Sequence, residues 1–424
     1  MGRIGRRGFV AGAALAAFGV TGSGTAEADS GTAGALSGTA GAVRKKPRAG
    51  GEFRGMWMAT VFNVDWPSTP GLTPGRQRAE LHAHLDMAVE RRLNAVILQV
   101  RPSADALWPS PHEPWAECLT GVQGRDPGWD PLGTAVEEAH GRGLELHAWF
   151  NPYRVANHTD PTRLTLTHPA RRNPEWIVPY GGKLYYNPGL PEVRRFVQDA
   201  MLDAVRRYDI DAVHWDDYFY PYPVEGEVFD DDDAYARYGG DFASRASWRR
   251  NNIDLLVSEM SARIKEVDSP PAFGISPFGI WRNAATDPAG SDTPAGVQSY
   301  DDLFADTRKW IREGWIDHVV PQLYWHIGFA EADYATLVPW WEAAVRNTGV
   351  RLYIGEALFK CGDPDQPAAW QDPDELSRHL TLADRHPGVA GHCFFSATQV
   401  TADRIGAMAA VVADHYPTAV PPAR

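Results

Sequence analysis

The sequence predicts an α/β fold consisting of a single (β/α)8 barrel of the TIM type. Eight short apolar runs recur along the chain, and each has the length of a buried strand. A helical pattern follows each run, and strict alternation of strand and helix favours parallel pairing with right-handed crossovers. Eight such units match a closed barrel, and barrels of about 370 residues are often one domain.

The predicted strands are the apolar runs at 54–60, 95–101, 145–151, 211–216, 273–277, 317–324, 351–355 and 391–396. The predicted helices are the intervening segments at 76–92, 131–142, 191–208, 248–267, 300–313, 331–346, 373–385 and 402–415. Asp-Pro pairs at 130–131 and 372–373 and the glycine at 143 are typical helix boundaries.

An open doubly wound sheet is the competing fold. It usually carries a glycine-rich phosphate loop after its first strand. Here residues 61–67 follow the first strand and contain no glycine, which favours the barrel.

The N-terminus is predicted to be an export signal over residues 1–28. Arg3, Arg6 and Arg7 precede a short apolar run, and a small-residue cleavage site ends at Ala28. The Arg6-Arg7 pair resembles the twin-arginine signal. The alternative, a membrane anchor, needs about 20 apolar residues, and this run is shorter. We therefore expect a secreted or cell-envelope protein without a transmembrane segment once the signal is removed.

Residues 29–51 are rich in small residues and predict a flexible linker. The barrel is then expected over 52–416, with a short tail at 417–424.

The net charge of −13 argues against nucleic acids and anionic membranes as partners. Cys118, Cys361 and Cys393 lack the CxxC spacing of structural zinc sites, so no metal or cofactor is expected. Two of them could form a disulfide, or all three could be buried free thiols.

Barrel active sites lie at the C-terminal ends of the strands. The predicted strand ends are rich in polar and aromatic residues, and the chain holds 16 Trp, 15 Tyr and 16 Phe. This placement predicts a sugar-binding cleft, although core packing explains most aromatic residues in any protein. The candidates for hydrogen bonds to sugar hydroxyls are Arg101, Asn151, Arg154, Arg282, Gln322 and Tyr324. The candidate stacking platforms are Tyr153, Tyr218, Tyr220, Trp281 and Trp325.

Asp216 is the leading candidate for a catalytic carboxylate. Glycosidases usually use two carboxyl groups, and side chains alternate along a strand. If Val213 and Trp215 face the helices, then Asp216 points into the barrel mouth and Asp217 points towards the rim or a loop amide. The alternative for such a pair is capping of a loop or helix.

The second carboxyl group has no sharp local signature. Glu356 ends the seventh predicted strand and faces inward only if Leu352 and Ile354 fill the barrel. Glu117, Asp105 and Asp65 lie in loops on the same rim, where a surface carboxylate is the default. Glu356 and Glu117 are the two candidates for the acid.

Several motifs together resemble the glycosyl-hydrolase-like ten family of bacterial cell-envelope proteins. They are RGMW at 54–57, DWP at 65–67, QVRP at 99–102, HAWFNPYR at 147–154, DDYFYP at 216–221, GISP at 274–277, WR at 281–282 and PQLYW at 321–325. The resemblance covers roughly residues 52–415. It implies a barrel, glycoside hydrolysis and, as a substrate class, peptidoglycan glycan strands stripped of their peptides.

The resemblance also bears on individual residues. It carries the essential aspartate over to Asp216. Glu356 departs from the family pattern, whereas Glu117 lies in a stretch that fits the family better. We therefore expect an exported glycoside hydrolase acting on a cell-wall polysaccharide. The alternatives are a glycan-binding barrel without catalysis and a metal-dependent deacetylase, and the latter would need clustered His and Asp ligands that the sequence lacks.

Overall fold

The computed structural model describes residues 51–422 and contains a closed barrel of eight parallel strands. Each strand pairs with its neighbours in chain order, and the last pairs with the first. The strands are β1 (Phe53–Met58), β2 (Ala95–Arg101), β3 (Glu145–Phe150), β4 (Ala212–Trp215), β5 (Ala272–Ile275), β6 (His318–Val319), β7 (Arg351–Glu356) and β8 (Val389–Phe395). The predicted fold is confirmed. The predicted signal peptide, nearly all of the linker and the end of the tail lie outside the described residues.

Eight main helices follow the strands. They are α1 (Pro74–Glu90), α2 (Pro131–His140), α3 (Pro191–Arg207), α4 (Arg245–Lys265), α5 (Thr307–Arg312), α6 (Tyr334–Val345), α7 (Glu375–Ala383) and α8 (Ala407–His415). Local capping sets several of their starts: Asp130 accepts a hydrogen bond from the Gly133 amide, and Ser244 forms a capping box with Ser247. Further helices of four to seven residues lie in the loops, at Glu117–Thr120, Pro169–Arg172, Asp232–Tyr238, Ser299–Asp302 and Ala397–Ala402.

Two predicted helices and one predicted strand differ most from the observed elements, whereas the others agree to within about three residues at each end. The helix predicted at 300–313 is broken because Phe304 has φ 54° and Asp306 caps a new helix. The one predicted at 402–415 begins later, after Asp403 at φ 39° and Gly406 at φ 79°. The strand predicted at 317–324 is cut to two residues, since Pro321 cannot donate to the ladder.

Alternate side chains fill the barrel. Phe53 and Trp57 of β1, Trp149 of β3, Tyr353 of β7 and Cys393 of β8 belong to the interior cluster. The intervening residues, such as Leu352 and Ile354, pack in the layer between barrel and helices. All three cysteines lie among the described residues and are free thiols.

Three histidines lie within the barrel. The ring centroids of His147 and His214 lie 5.4 and 6.2 Å from that of His318. Burial holds the pKa of His214 and of His318 well below the usual value, so both rings are neutral. Gly274 makes room for His318, because a Cβ there would lie 1.9 Å from its Nε2 atom.

The loop after β3 builds a small cover at the rim. It contains an antiparallel sheet of Arg154–Ala156, Lys183–Tyr186 and Ile177–Tyr180. Within residues 51–422, no helix combines the length and apolar character that a membrane crossing requires.

Glu356 anchors β7 to the helices. Its carboxylate is fully buried and lies 2.9 Å from Nδ1 of His379 and 3.0 Å from Nδ1 of His392, while the Tyr334 hydroxyl donates to it at 2.7 Å. Burial opposes its charge, but the two histidines prevail and lower its pKa to about 2. The pKa of His379 is raised by Glu356 and Glu375 against the opposing effect of burial.

We expect Glu356→Gln to lower the free energy of unfolding by about 3–5 kcal/mol, because it leaves a buried charge without its partner. Urea denaturation would measure this loss. Glu342→Gln is a matched control, since Glu342 forms a partly exposed pair with His386 and such pairs contribute about 1 kcal/mol or less. Equal losses in the two variants would contradict the anchoring role.

The difference between wild type and Glu356→Gln should depend on pH. The stability from the lowered pKa of Glu356 is present above about pH 4.5 and is lost as the pH falls towards 2. The stability that comes from the raised pKa of His379 is present below about pH 6.5, and it is lost as the pH rises through that raised pKa. The difference in unfolding free energy should therefore be largest between about pH 4.5 and 6.5, and a flat profile would contradict this.

Candidate functional site

A small cavity opens at the C-terminal ends of the strands, where a barrel enzyme binds its substrate. It encloses about 50 Å³ and its lining is mainly aromatic. The lining residues are Trp57, Trp149, Asp216, Asp217, Tyr218, Ser276, Gln322, Tyr324, Phe359 and Phe395. Two carboxyl groups thus lie in an apolar cavity, a combination that favours acid–base chemistry.

Asp216 is held in one orientation by donors on β3 and its loop. The indole Nε1 of Trp149 donates to its carboxylate at 3.0 Å, and the side-chain amide of Asn151 donates at 3.0 and 3.1 Å to the two oxygens. The Tyr218 amide adds a bond of 3.3 Å. Burial raises the pKa of Asp216, and these donors together with Arg154 act against that rise by stabilising the charged form.

Asp217 lies beside Asp216 and is equally buried. The Tyr222 hydroxyl donates to its Oδ2 atom. Burial and the neighbouring charge of Asp216 raise the pKa of Asp217 to about 7, against hydrogen bonds from Tyr222 and Gln322. At neutral pH Asp217 can therefore both hold and release a proton, as a general acid must.

The structure places Asp217 differently from the sequence prediction. Strand alternation was expected to turn it away from the barrel mouth, yet it lines the same cavity as Asp216. The physical reason is that β4 ends at Trp215, so both aspartates lie beyond the strand and its alternation no longer applies. Their orientations follow instead from the bonds made by Trp149, Asn151 and Tyr222.

The rest of the cavity wall comes from other strand ends. The Gln322 amide donates to the Ser276 carbonyl at 3.0 Å and faces Asp217. The ring of Tyr324 packs on that of Phe359 with centroids 5.4 Å apart. Of the predicted binding residues, Tyr218, Gln322 and Tyr324 line the cavity.

Arg154 supports the cavity from behind. It is buried, it donates to the Pro102 carbonyl at 2.9 and 3.1 Å, and its guanidinium lies 5.3 Å from the Tyr218 ring centroid. With Asn151, which fixes Asp216, it positions groups that line the cavity.

A second, larger groove lies on the same rim after β1 and β2 and encloses about 690 Å³. Glu117 is exposed in it, next to the buried Asp105, which accepts a bond from the Glu117 amide at 3.3 Å. Asp105 has its pKa raised to about 7, mainly by burial. Asn157 and His158 also line this groove. The structure therefore puts Glu117 in this groove and outside the cavity that holds Asp216.

Several predicted site residues do not line the cavity, and some of them form hydrogen bonds or ion pairs with other parts of the chain. Arg101 forms two hydrogen bonds with the buried Glu113, at 2.5 and 2.6 Å, and donates to the carbonyls of Asn151 and Pro152. Arg282 pairs with Asp301 and Asp287. The remaining residues that do not line the cavity are Tyr153, Tyr220, Trp281, Trp325 and Glu356.

Glu356 lies outside the cavity because Leu352 and Ile354, which share its side of β7, face the helices. The carboxylate of Asp65 also has partners within the fold. It accepts hydrogen bonds from the Ser396 hydroxyl at 2.6 Å and from the Ala59 amide at 2.7 Å.

Five lining residues were missing from the predicted site: Trp57, Trp149, Ser276, Phe359 and Phe395. A sequence signal for Trp57 and Trp149 existed, since each ends a run of alternating inward positions, Phe53-Gly55-Trp57 and Glu145-His147-Trp149. Phe359 lies in a loop after β7 and had no such signal. Among residues 51–422, no three His, Cys, Asp or Glu side chains are grouped as metal ligands would be.

Comparison with known proteins shows related sequences. A family model described as Glycosyl hydrolase-like 10 matches residues 52–372. Glycosyl hydrolase YngK of Bacillus subtilis (strain 168) is 49% identical over 374 residues, which cover 87% of this chain and 73% of that protein. Glycosyl hydrolase DigH of Escherichia coli (strain K12) is 40% identical over 366 residues, covering 81% and 82% of the two chains.

Solved structures share the fold at low identity. The PgaB (BpsB) glycoside hydrolase domain from Bordetella bronchiseptica superposes with a TM-score of 0.52 at 14% identity, covering 85% of this chain and 97% of that domain. Alpha-L-fucosidase isoenzyme 2 from Paenibacillus thiaminolyticus gives a TM-score of 0.51 at 12% identity, with 86% and 49% covered.

The expected family is thus confirmed by a match over most of the chain, and the carboxyl pair lies where a barrel glycosidase would need it. This chain belongs to the Glycosyl hydrolase-like 10 family and is a glycoside hydrolase.

Proposed function

We propose that this glycoside hydrolase is exported and cleaves glycosidic bonds in a bacterial cell-wall polysaccharide, with peptide-free peptidoglycan glycan strands as the substrate class. The observation that carries the proposal is the buried pair Asp216 and Asp217 in an aromatic-lined cavity at the barrel mouth. The twin-arginine pattern at Arg6-Arg7 supports delivery to the compartment where such glycans occur. The larger groove on the same rim supports a polymeric substrate, because it offers further surface at the barrel mouth.

The two aspartates suit different roles. Asp217, with a pKa of about 7, supplies the proton that the leaving oxygen needs. Asp216 supplies negative charge near the anomeric carbon, and its donors Trp149 and Asn151 keep it in place. A raised carboxyl pKa beside a second carboxyl group in one cavity is typical of catalytic sites, which favours hydrolysis over a barrel that merely binds glycans. Pairs of carboxyls whose environments separate their roles are the usual arrangement in glycosidases.

Incubating the purified protein with amidase-treated peptidoglycan should release soluble sugar fragments, detected by chromatography and mass spectrometry. Untreated peptidoglycan should release fewer fragments, because its peptides hinder access to the rim. Other bacterial polysaccharides serve as controls. Cleavage of those alone would contradict the proposed substrate, and no cleavage of any glycan would contradict the proposed function as a whole.

Asp216→Asn and Asp217→Asn should each lower turnover by about 10² or more, since each removes a group that acts in the transition state. Neither should unfold the protein, because asparagine keeps the size of the side chain. Asp241→Asn is a matched control in an exposed turn outside the cavity and should keep wild-type activity. Rates would be measured alongside thermal melting. A folded Asp217→Asn variant with nearly full activity would remove Asp217 from the proposed acid role.

The pH profile should report Asp217. As the acid must be protonated, kcat/KM should fall as the pH rises through about 7. Tyr222→Phe removes a hydrogen bond that favours the charged carboxylate, so the pKa of Asp217 should rise and the alkaline limb should move to higher pH.

Tyr238→Phe, at an exposed position, is the control for the pH profile and should leave the limb unchanged. An alkaline limb in Tyr222→Phe that stays in place or moves to lower pH would show that Asp217 does not control it.

A further inference from the structure

The cavity that holds Asp216 and Asp217 is too small for a sugar ring but large enough for one substituent. Its volume is about 50 Å³, and one water needs about 10–15 Å³ when volume is measured in this way, so the cavity has room for a few water molecules. Its walls include the rings of Trp57, Trp149, Phe359 and Phe395. The sugar ring must therefore lie above the cavity, with a small and partly apolar group inserted between these rings.

The polar groups of the cavity limit what that substituent can be. Oδ2 of Asp216 accepts bonds of 3.0 Å from both Trp149 and Asn151, whereas Oδ1 accepts only longer bonds, of 3.1 Å from the same Asn151 nitrogen and 3.3 Å from the Tyr218 amide. Oδ1 is thus the less strongly bonded oxygen and the one that can accept an N–H group of a ligand. Tyr324 keeps its phenolic proton, because burial holds its pKa well above the usual value, and it can donate to a carbonyl oxygen. An acetamido group carries an N–H, a carbonyl and a methyl group, and so matches the site.

The carboxyl groups have a further consequence for the chemistry. Asp216 and Asp217 are consecutive, so their side chains reach the sugar from one chain segment. In a retaining or inverting glycosidase with two protein carboxylates, the two flank the scissile bond, about 5–5.5 Å or 6.5–9.5 Å apart. Among the residues that line this cavity, no third carboxylate faces the pair from the opposite wall. The nucleophile on that side must then come from elsewhere.

We infer that the enzyme is specific for 2-acetamido sugars and that the acetamido group of the substrate, held by Asp216 and the aromatic walls, is itself the nucleophile. This inference rests on the proposed function and deepens it. Other glycosidases use this substrate-assisted route. It explains a site with one proton donor and one anchored carboxylate in place of two flanking carboxylates.

The reaction proceeds by two successive displacements at the anomeric carbon. The acetamido carbonyl oxygen attacks the anomeric carbon, the bond from that carbon to the leaving oxygen breaks, and Asp217 transfers its proton to the leaving oxygen. Asp216 accepts a hydrogen bond from the acetamido N–H and stabilises the positive charge of the bicyclic oxazolinium that forms. Water then attacks the anomeric carbon, Asp217 takes a proton from it, and the acetamido group is restored. Two displacements give a product with retained configuration.

The decisive experiment compares three forms of amidase-treated peptidoglycan glycan: native, de-N-acetylated, and re-acylated with trifluoroacetyl groups. The fluorines make the carbonyl oxygen a weaker nucleophile with little change in size, so kcat should fall at least about tenfold while KM stays similar. The de-N-acetylated glycan should be cleaved at least about 10² times more slowly than the native glycan. Chemical re-acetylation should restore the rate. The released reducing end, followed by NMR, should retain its configuration.

Equal rates on all three glycans, or an inverted product, would overturn the inference while leaving the proposed hydrolase intact. If no glycan is cleaved, the proposed function fails, and binding then tests the acetamido site on its own. The probe is a 2-methylthiazoline fused to N-acetylglucosamine, a stable mimic of the oxazolinium. It should bind at least about 10² times more tightly than N-acetylglucosamine in calorimetry, and Asp216→Asn should abolish the gain. A thiazoline that binds no better than the sugar overturns the inference.

Discussion

Eight parallel strands that close on themselves must bring all their C-terminal ends to one rim, and the site depends on this constraint. Asp216 follows β4, but the groups that hold it, Trp149 and Asn151, come from β3 and its loop. Gln322, which faces Asp217, follows β6. Asn151 precedes Asp216 by 65 positions and Gln322 follows Asp217 by more than 100, and the barrel brings them together because its parallel strands all end at one rim.

Burial alone does not determine what a carboxyl group does in this barrel. Glu356 and Asp217 are both almost fully buried, yet the pKa of Glu356 is lowered to about 2 and that of Asp217 is raised to about 7. The difference lies in their neighbours. Glu356 lies between two histidines, whereas Asp217 lies beside another carboxylate. The same desolvation therefore gives a fixed structural anion on one side of the strands and a group that exchanges protons on the other.

The sequence predicts the barrel well because the fold depends on a repeated local pattern. All eight strands lie within or close to the predicted apolar runs, and Asp216 was identified from its position at a strand end. Prediction fails where the contacts of a side chain depend on residues outside its own strand. Arg101 was expected to bind sugar, but Glu113, which follows twelve residues later, occupies its guanidinium. Alternation could not place Asp217, since the strand ends two residues earlier and Tyr222 orients the side chain.

The histidines beneath the site link the packing of the barrel to its chemistry. The indole N–H of Trp57, a cavity residue, donates to Nε2 of His214 at 3.2 Å, so this nitrogen carries no proton of its own. Burial and the neighbouring His147 and His318 keep His214 neutral. A protonated ring there would place a positive charge below both aspartates and lower their pKa values. Asp217 would then lose its proton at neutral pH, and the site would lack a general acid. The neutral interior therefore helps to keep the acid protonated, and it exists because the barrel excludes water from all three rings.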